Sequence, residues 1–148
     1  MQISSASYYA DLSKSYLTQS ATAQNNTQTN TSPLDKSTSI QQQQEIQALK
    51  SRDQEVRNHE QAHLNAAGGL AVSGAHFSYT TGPDGQRYAV GGDVSIDIAE
   101  VADDPQATLN KADIIRRAAM APAQPSAQDF SVASKAAAMA NKARTELL

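Results

Sequence analysis

Residues 45–69 read EIQALKSRDQEVRNHEQAHLNAAGG, and this stretch decides the fold. Ile46, Leu49, Val56, His63 and Ala67 fall near one stripe at helical spacing, and Asp53 and Arg57 stand four apart with the acid first. Gly68-Gly69 then supplies a stop, so the spacing predicts a helix from about residue 41 to residue 67. Inside it lies His59-Glu60-Gln61-Ala62-His63, an HExxH sequence. Positions four apart on a helix sit one turn above each other, so both imidazoles can reach one cation at about 2.0–2.1 Å. Glu60 is rotated to meet a water on that cation. Zinc hydrolysis needs this donor set: the ion acidifies the water and polarises the scissile carbonyl, and Glu60 carries the proton to the leaving amine. The competing reading is a solvated helix face rich in His, Glu and Gln.

Beyond the glycines, residues 75–97 alternate like two strands, with Phe77 and Tyr79 on the first and Tyr88 and Val90 on the second, around Gly82-Pro83-Asp84-Gly85. Gly91-Gly92 marks a bulge or a close backbone approach. After it Val94, Ile96 and Ile98 point one way and Asp93, Ser95 and Asp97 the other. Asp103-Asp104-Pro105 reads as an N-cap followed by a proline in the first turn of a helix running to about Ala119, with Arg116 and Arg117 at its negative end. Ser126-Ala127-Gln128-Asp129 resembles a capping box with Asp in place of the usual Glu, opening an alanine-rich last helix to about Glu146.

A zinc site needs a third protein ligand. The extended HExxHxxGxxH pattern fails, because Ala66 and Gly69 stand where its glycine and third histidine belong. The remaining candidates are Asp93, favoured because a bulge before it could aim it at the helix, then Asp97, then His76, with Glu100 also in reach. Tyr79, Tyr88 and Arg87 are candidates for stabilising an oxyanion or orienting a substrate. Two tyrosines across a hairpin serve equally well as a packing pair.

Upstream the composition changes. Of residues 1–44, 26 are Ser, Thr, Asn or Gln and only Asp11, Lys14, Asp35 and Lys36 are charged, which predicts a disordered polar tail. Within it Tyr8, Tyr9, Leu12, Tyr16 and Leu17 have the spacing of a short partner-binding helix. Residues 45–148 then form the one domain, with a small alanine-rich core: hydrophobic residues make up 39% of the 148, aromatics 5%, and tryptophan is absent. A net charge of -3 without a basic cluster argues against nucleic acid. The absence of cysteine leaves any metal to His and carboxylates. No stretch approaches the roughly 20 apolar residues needed to span a bilayer. Residues 1–17 lack a basic n-region and an apolar h-region, so a soluble protein without a cleavable signal is expected, cytoplasmic or exported by a non-classical route.

Several separated motifs in order carry a resemblance: Val56-Arg57-Asn58-His59-Glu60-Gln61-Ala62-His63, Gly82-Pro83-Asp84-Gly85, Tyr88-Ala89-Val90-Gly91-Gly92, Val94-Ser95-Ile96-Asp97, Ala121-Pro122-Ala123 and Pro125-Ser126-Ala127-Gln128-Asp129. Over residues 50–146 the chain resembles the bacterial SprA-related family, described as metalloproteases through its HExxH motif. The resemblance implies zinc ligation by His59 and His63 and general-base catalysis by Glu60. The expected fold is α+β and mainly helical, with a zincin-like active-site helix, a β-hairpin, two C-terminal helices and the polar tail. The expected function is Zn2+-dependent hydrolysis of a peptide or protein substrate. The alternative is a zinc-stabilised or metal-free protein-interaction module that uses the hairpin and the tail.

Overall fold

The structure, a computed structural model, describes residues 1–4 and 33–148. Strand β1 (Gln2–Ser4) comes first, and the long helix α1 spans Pro33–Ala67. Helix α1 begins earlier than residue 41, so the polar segment up to residue 44 is not all tail. Proline suits a first helical turn, where its missing N–H has no intrahelical partner, and glutamine is a good helix former. Every residue from 37 to 45 is exposed, and partial burial begins at Ile46 and Leu49. The polar first half of α1 therefore propagates from a docked second half, which composition alone does not reveal. Gly68, at φ 53°, ends the helix and leads into a single 3-10 turn, Gly68–Leu70. Tyr8, Tyr9, Leu12, Tyr16 and Leu17 lie outside the described residues.

The hairpin forms as its turn residues dictate. Strands β2 (His76–Thr81) and β3 (Arg87–Ser95) pair antiparallel. In the connection the Gly85 N–H donates to the Gly82 carbonyl and the Gly82 N–H to the Gln86 carbonyl, with Gly85 at φ 75°. Ser78 pairs with Gly91 and Tyr79 with Ala89, so Val90 is the extra, bulged residue. Beyond the bulge, Val94 and Ile96 are buried with the core while Asp93 and Asp97 lie on the opposite face. β1 pairs with the other edge of β3 (Gln2 with Ser95, Ile3 with Val94, Ser4 with Asp93), giving the sheet order β1-β3-β2. This third strand lies at the head of the segment composition assigned to the tail. Three residues carry too little periodicity to announce a strand, and β1 owes its conformation to the edge it covers.

Helix α2 (Pro105–Ala119) starts at Asp104, whose Oδ1 accepts from the Ala107 N–H at 2.8 Å. Helix α3 (Ala127–Glu146) starts in the expected capping box: Ser126 Oγ accepts from the Asp129 N–H at 3.2 Å, and Asp129 Oδ2 accepts from the Ser126 N–H at 2.6 Å. Ala118 and Ala119 on α2 and Val132 and Ala136 on α3 close the core with Ala67, Val94, Ile96 and Ile115. Small side chains let the helices approach closely, at the cost of burying little apolar area per residue.

The sheet is tied to α1 by polar contacts at the bulge. Asp53 Oδ1 accepts from the Ala89 N–H at 2.7 Å, and Arg52 donates from both Nε and Nη2 to the Val90 carbonyl at 3.4 Å. Two turns further along α1, Glu60 lies under Gly92. A Cβ at Gly92 would stand 2.6 Å from Glu60 Cγ and 2.8 Å from Oε1. The expected close backbone approach is therefore at Gly92, and glycine is required there because Glu60 fills the space.

Candidate metal centre

Three helices meet at the HExxH sequence. Val56, Glu60, His63 and Ala67 form the fully buried stripe of α1, and His59 borders it with its side chain 11% exposed. His63 Nδ1 lies 2.8 Å from the Ala118 carbonyl, one of the last carbonyls of α2. That carbonyl can only accept, so Nδ1 carries the proton, and Nε2 of the neutral ring keeps its lone pair pointing the other way. His59 Nε2 is 3.1 Å from His63 Nε2. Asp129, at the start of α3, completes the group: Oδ2 is 3.5 Å from His59 Nε2 and Oδ1 is 3.4 Å from His63 Nε2.

These donors fit a cation. Ligand atoms bound tetrahedrally at about 2.0–2.2 Å stand about 3.2–3.5 Å apart; the two Nε2 atoms are 3.1 Å apart, and Asp129 comes within 3.5 Å of His59 through Oδ2 and 3.4 Å of His63 through Oδ1. The ligand atoms offered by His59, His63 and Asp129 all lie within 4.8 Å of one another. Asp129 Oδ1 is a buried acceptor that receives no hydrogen bond. A carboxylate oxygen withdrawn from water without a donor is costly, and a cation at the imidazoles would remove that cost. Two imidazoles and one carboxylate suit zinc, although the same set serves other divalent transition metals.

The electrostatics agree. Burial pushes the Asp129 carboxyl up, yet His59, His63 and the Ser126 amide outweigh it and hold the group well below the usual carboxylate range. Burial pushes the His63 imidazole down, but Asp129, the Ala118 carbonyl and Glu60 more than compensate, and its pKa is raised. Anionic Asp129 and its neighbours thus favour positive charge at the ring.

The sequence-predicted candidates divide cleanly. His59, Glu60 and His63 come together as expected. Asp93 does not join them: Gly92 turns toward α1, so its neighbour Asp93 turns to the opposite face, opposite His76, with 3.9 Å between Oδ2 and His76 Nδ1. The bulge at Val90 re-aims Gly92 rather than an acid. His76 is exposed, Asp97 is paired with Lys111 at 2.7 Å and Glu100 with Lys142 at 2.6 Å. Tyr88 spends its hydroxyl on Asp84 at 2.6 Å, which pushes its pKa up to about 12, and Tyr79 lies under the Arg87 guanidinium at 4.6 Å. Asp129 is the member of this group that sequence reasoning missed. Its signal was present, since an acid at the third position of a capping box is held rigidly at a helix start, but a cap already accounted for it.

The sequence matches the SprA-related family over residues 7–148. The chain belongs to the SprA-related family. The match takes in the whole candidate centre and extends well upstream of the motifs that suggested it. Comparisons with curated proteins and with solved structures give no match. Among the described residues, no helix is long and apolar enough to cross a membrane.

Proposed function

We propose that this SprA-related chain is a zinc-dependent peptide hydrolase in which His59, His63 and Asp129 hold the ion and Glu60 is the general base. The observation that carries the reading is the convergence of three donors from two helices at ligand spacing, around a carboxylate oxygen that lacks a hydrogen-bond donor. Zinc, when bound, supplies a Lewis acid that acidifies a water and polarises a carbonyl. The protein does the rest. The Ala118 carbonyl fixes the His63 ring through Nδ1, and the Ser126 amide fixes Asp129 through Oδ2, leaving Oδ1 directed at His63. Glu60, fully buried between α1 and β3, accepts a proton at its carboxylate from the attacking water and returns it to the leaving nitrogen. Its enclosure keeps bulk water from competing for that proton. The partly exposed His59 is the open side of the group.

The test has two stages. Elemental mass spectrometry of the purified chain should find about one zinc per molecule, lost in the His59→Ala/His63→Ala variant. Glu60→Gln should then keep the zinc and lose peptide cleavage by about two to four orders of magnitude.

A second reading is a structural ion that holds α3 to α1 within an interaction module. Its supporting observation is burial: His63, Asp129 and Glu60 are all fully buried, as closed structural sites are. It expects zinc and stability to survive Glu60→Gln with no cleavage by either form.

A further inference from the structure

We infer that the cavity between α3 and the chain leaving β3 is a binding site for a linear monocarboxylate with an apolar tail, of the class of a medium-chain fatty acid. The cavity encloses about 330 Å³ and shares no residue with the metal group, so the inference does not rest on the hydrolase reading. Its wall is apolar. Ile115 and Ala136 are buried members of the core, and Ile98 and Met139 pack half-buried against it. On this side α3 presents only methyl groups at Ala136 and Ala138, which leave the space unfilled. Well-packed interiors hold few voids larger than one water, and at about 30 Å³ per water this volume equals that of about eleven. Small-molecule sites begin at about this size, with an apolar lining and a few polar groups that fix orientation.

The rim sets the polarity of the ligand. Lys135, Lys142 and Glu100 line the cavity, a surplus of one positive charge. Glu100 is spent on Lys142, with Oε2 2.6 Å from Nζ, and Glu146 lies 3.8 Å from the same ammonium. Lys135 meets no carboxylate among the described residues: its Nζ stands 3.0 Å from the Met1 thioether, a weak and uncharged acceptor. An exposed ammonium beside an apolar wall complements a carboxylate joined to hydrocarbon, which buries its tail and keeps one charge-assisted hydrogen bond at its head. A dianion would bring its second negative charge to a rim whose other cation is already paired, so the surplus selects a monoanion. The shape selects a linear tail. Lys135 and Lys142 bracket the cavity along α3 with Ala138 and Met139 between them, a span of about 10 Å at 1.5 Å per residue. The carboxylate therefore sits at Lys135 and the tail runs along α3 toward Met139.

The probe is sodium octanoate, whose about ten non-hydrogen atoms suit a volume of about eleven waters, titrated into the full chain and followed by amide and methyl shifts in nuclear magnetic resonance. Saturable shifts should gather at Ile98, Ile115, Ala136 and Met139, with a Kd of about 1 mM, the range for a ligand this small. Lys135→Gln removes the charge at an exposed position and should weaken octanoate by about tenfold, whereas Lys50→Gln, on the exposed face of α1, should leave it unchanged. Octanol has the tail without the charge and should bind about tenfold more weakly than octanoate, indifferent to Lys135→Gln. Acetate has the charge without the tail and should give no shifts at these four residues. Ala138→Trp, at an exposed position on the rim, should occlude the cavity and abolish the octanoate shifts. Shifts scattered over the surface, or untouched by Ala138→Trp, would place octanoate elsewhere and overturn the inference. Octanol binding as tightly as octanoate, or octanoate indifferent to Lys135→Gln, overturns it too, because the carboxylate would then have no recognised role. Should Ala138→Trp fail to fold, nuclear Overhauser contacts between octanoate methylenes and the Met139 methyl of the unsubstituted chain decide in its place, and their absence is equally fatal.

Discussion

Asp129 divides its two oxygens between two tasks. Oδ2 closes the capping box of α3 and Oδ1 faces His63. Asp129→Asn keeps the shape and an acceptor for the Ser126 amide but removes the charge. Zinc affinity should fall by about 10- to 100-fold while the far-ultraviolet circular dichroism is unchanged; undiminished zinc binding would remove Asp129 from the ligand set. Gly92 yields a prediction of a different kind. Gly92→Ala places a methyl group against Glu60 and should cost about 1–3 kcal/mol in a denaturant titration. In a Glu60→Ala background the obstructing atoms are gone and most of that cost should vanish, so an undiminished penalty would mean that the strain lies in the backbone. At this scale His59, Glu60 and His63 were legible because one helix sets their relation. Asp129 was not, because the contact that defines it spans about half the chain and its local role as a cap was sufficient explanation.

Between elements, Asp53 is the hinge pin of α1 and β3. The Arg57 guanidinium first, opposed by partial burial and helped by the Ala89 N–H, lowers its carboxyl below the ordinary 3.8. The sign follows from linkage: a depressed folded-state pKa stabilises the protein above the unfolded value of about 3.9, and the contribution is lost as pH falls through the lower, folded-state value. Thermal midpoints of the wild type and Asp53→Asn should therefore be well separated at pH 7 and converge as the pH drops below about 4. A constant gap would show that the charge is not what matters. The hairpin, α2 and α3 were readable from short-range chemistry: a Gly-Pro-Asp-Gly turn, an Asp-Pro helix start and a Ser-to-Asp box. β1 was not, since its three residues acquire strand character only from a partner edge far along the chain. The same limit explains Asp93, because a Gly-Gly pair announces an irregularity without saying which of its neighbours turns toward the helix.

Across the whole molecule, the His59, His63 and Asp129 group lies where α1, α2 and α3 converge, so an ion there would bind the folded state alone. Zinc at about one hundred times its Kd should add about 2.7 kcal/mol and raise the thermal midpoint by roughly 10 °C, reversed by a chelator. A midpoint indifferent to both would rule out a bound ion. The core explains why such a contribution would count: half of it is alanine, Ala67, Ala118, Ala119 and Ala136 from the three helices, beside the branched residues Val94, Ile96, Ile115 and Val132, and each alanine removes little surface from water.

The long first helix has a consequence of its own. Its residues 37–45 are all exposed, so at 1.5 Å per residue an exposed arm of about 14 Å precedes the docked part of the helix. Such an arm gains no cooperativity from the core, and its amides should exchange in a gradient, fastest toward Pro33 and slowing stepwise to Leu49. Drag grows with reach more than with mass, so the protein should sediment more slowly than a sphere of 15.7 kDa. A protease acting on the native chain should trim the arm before it opens the domain.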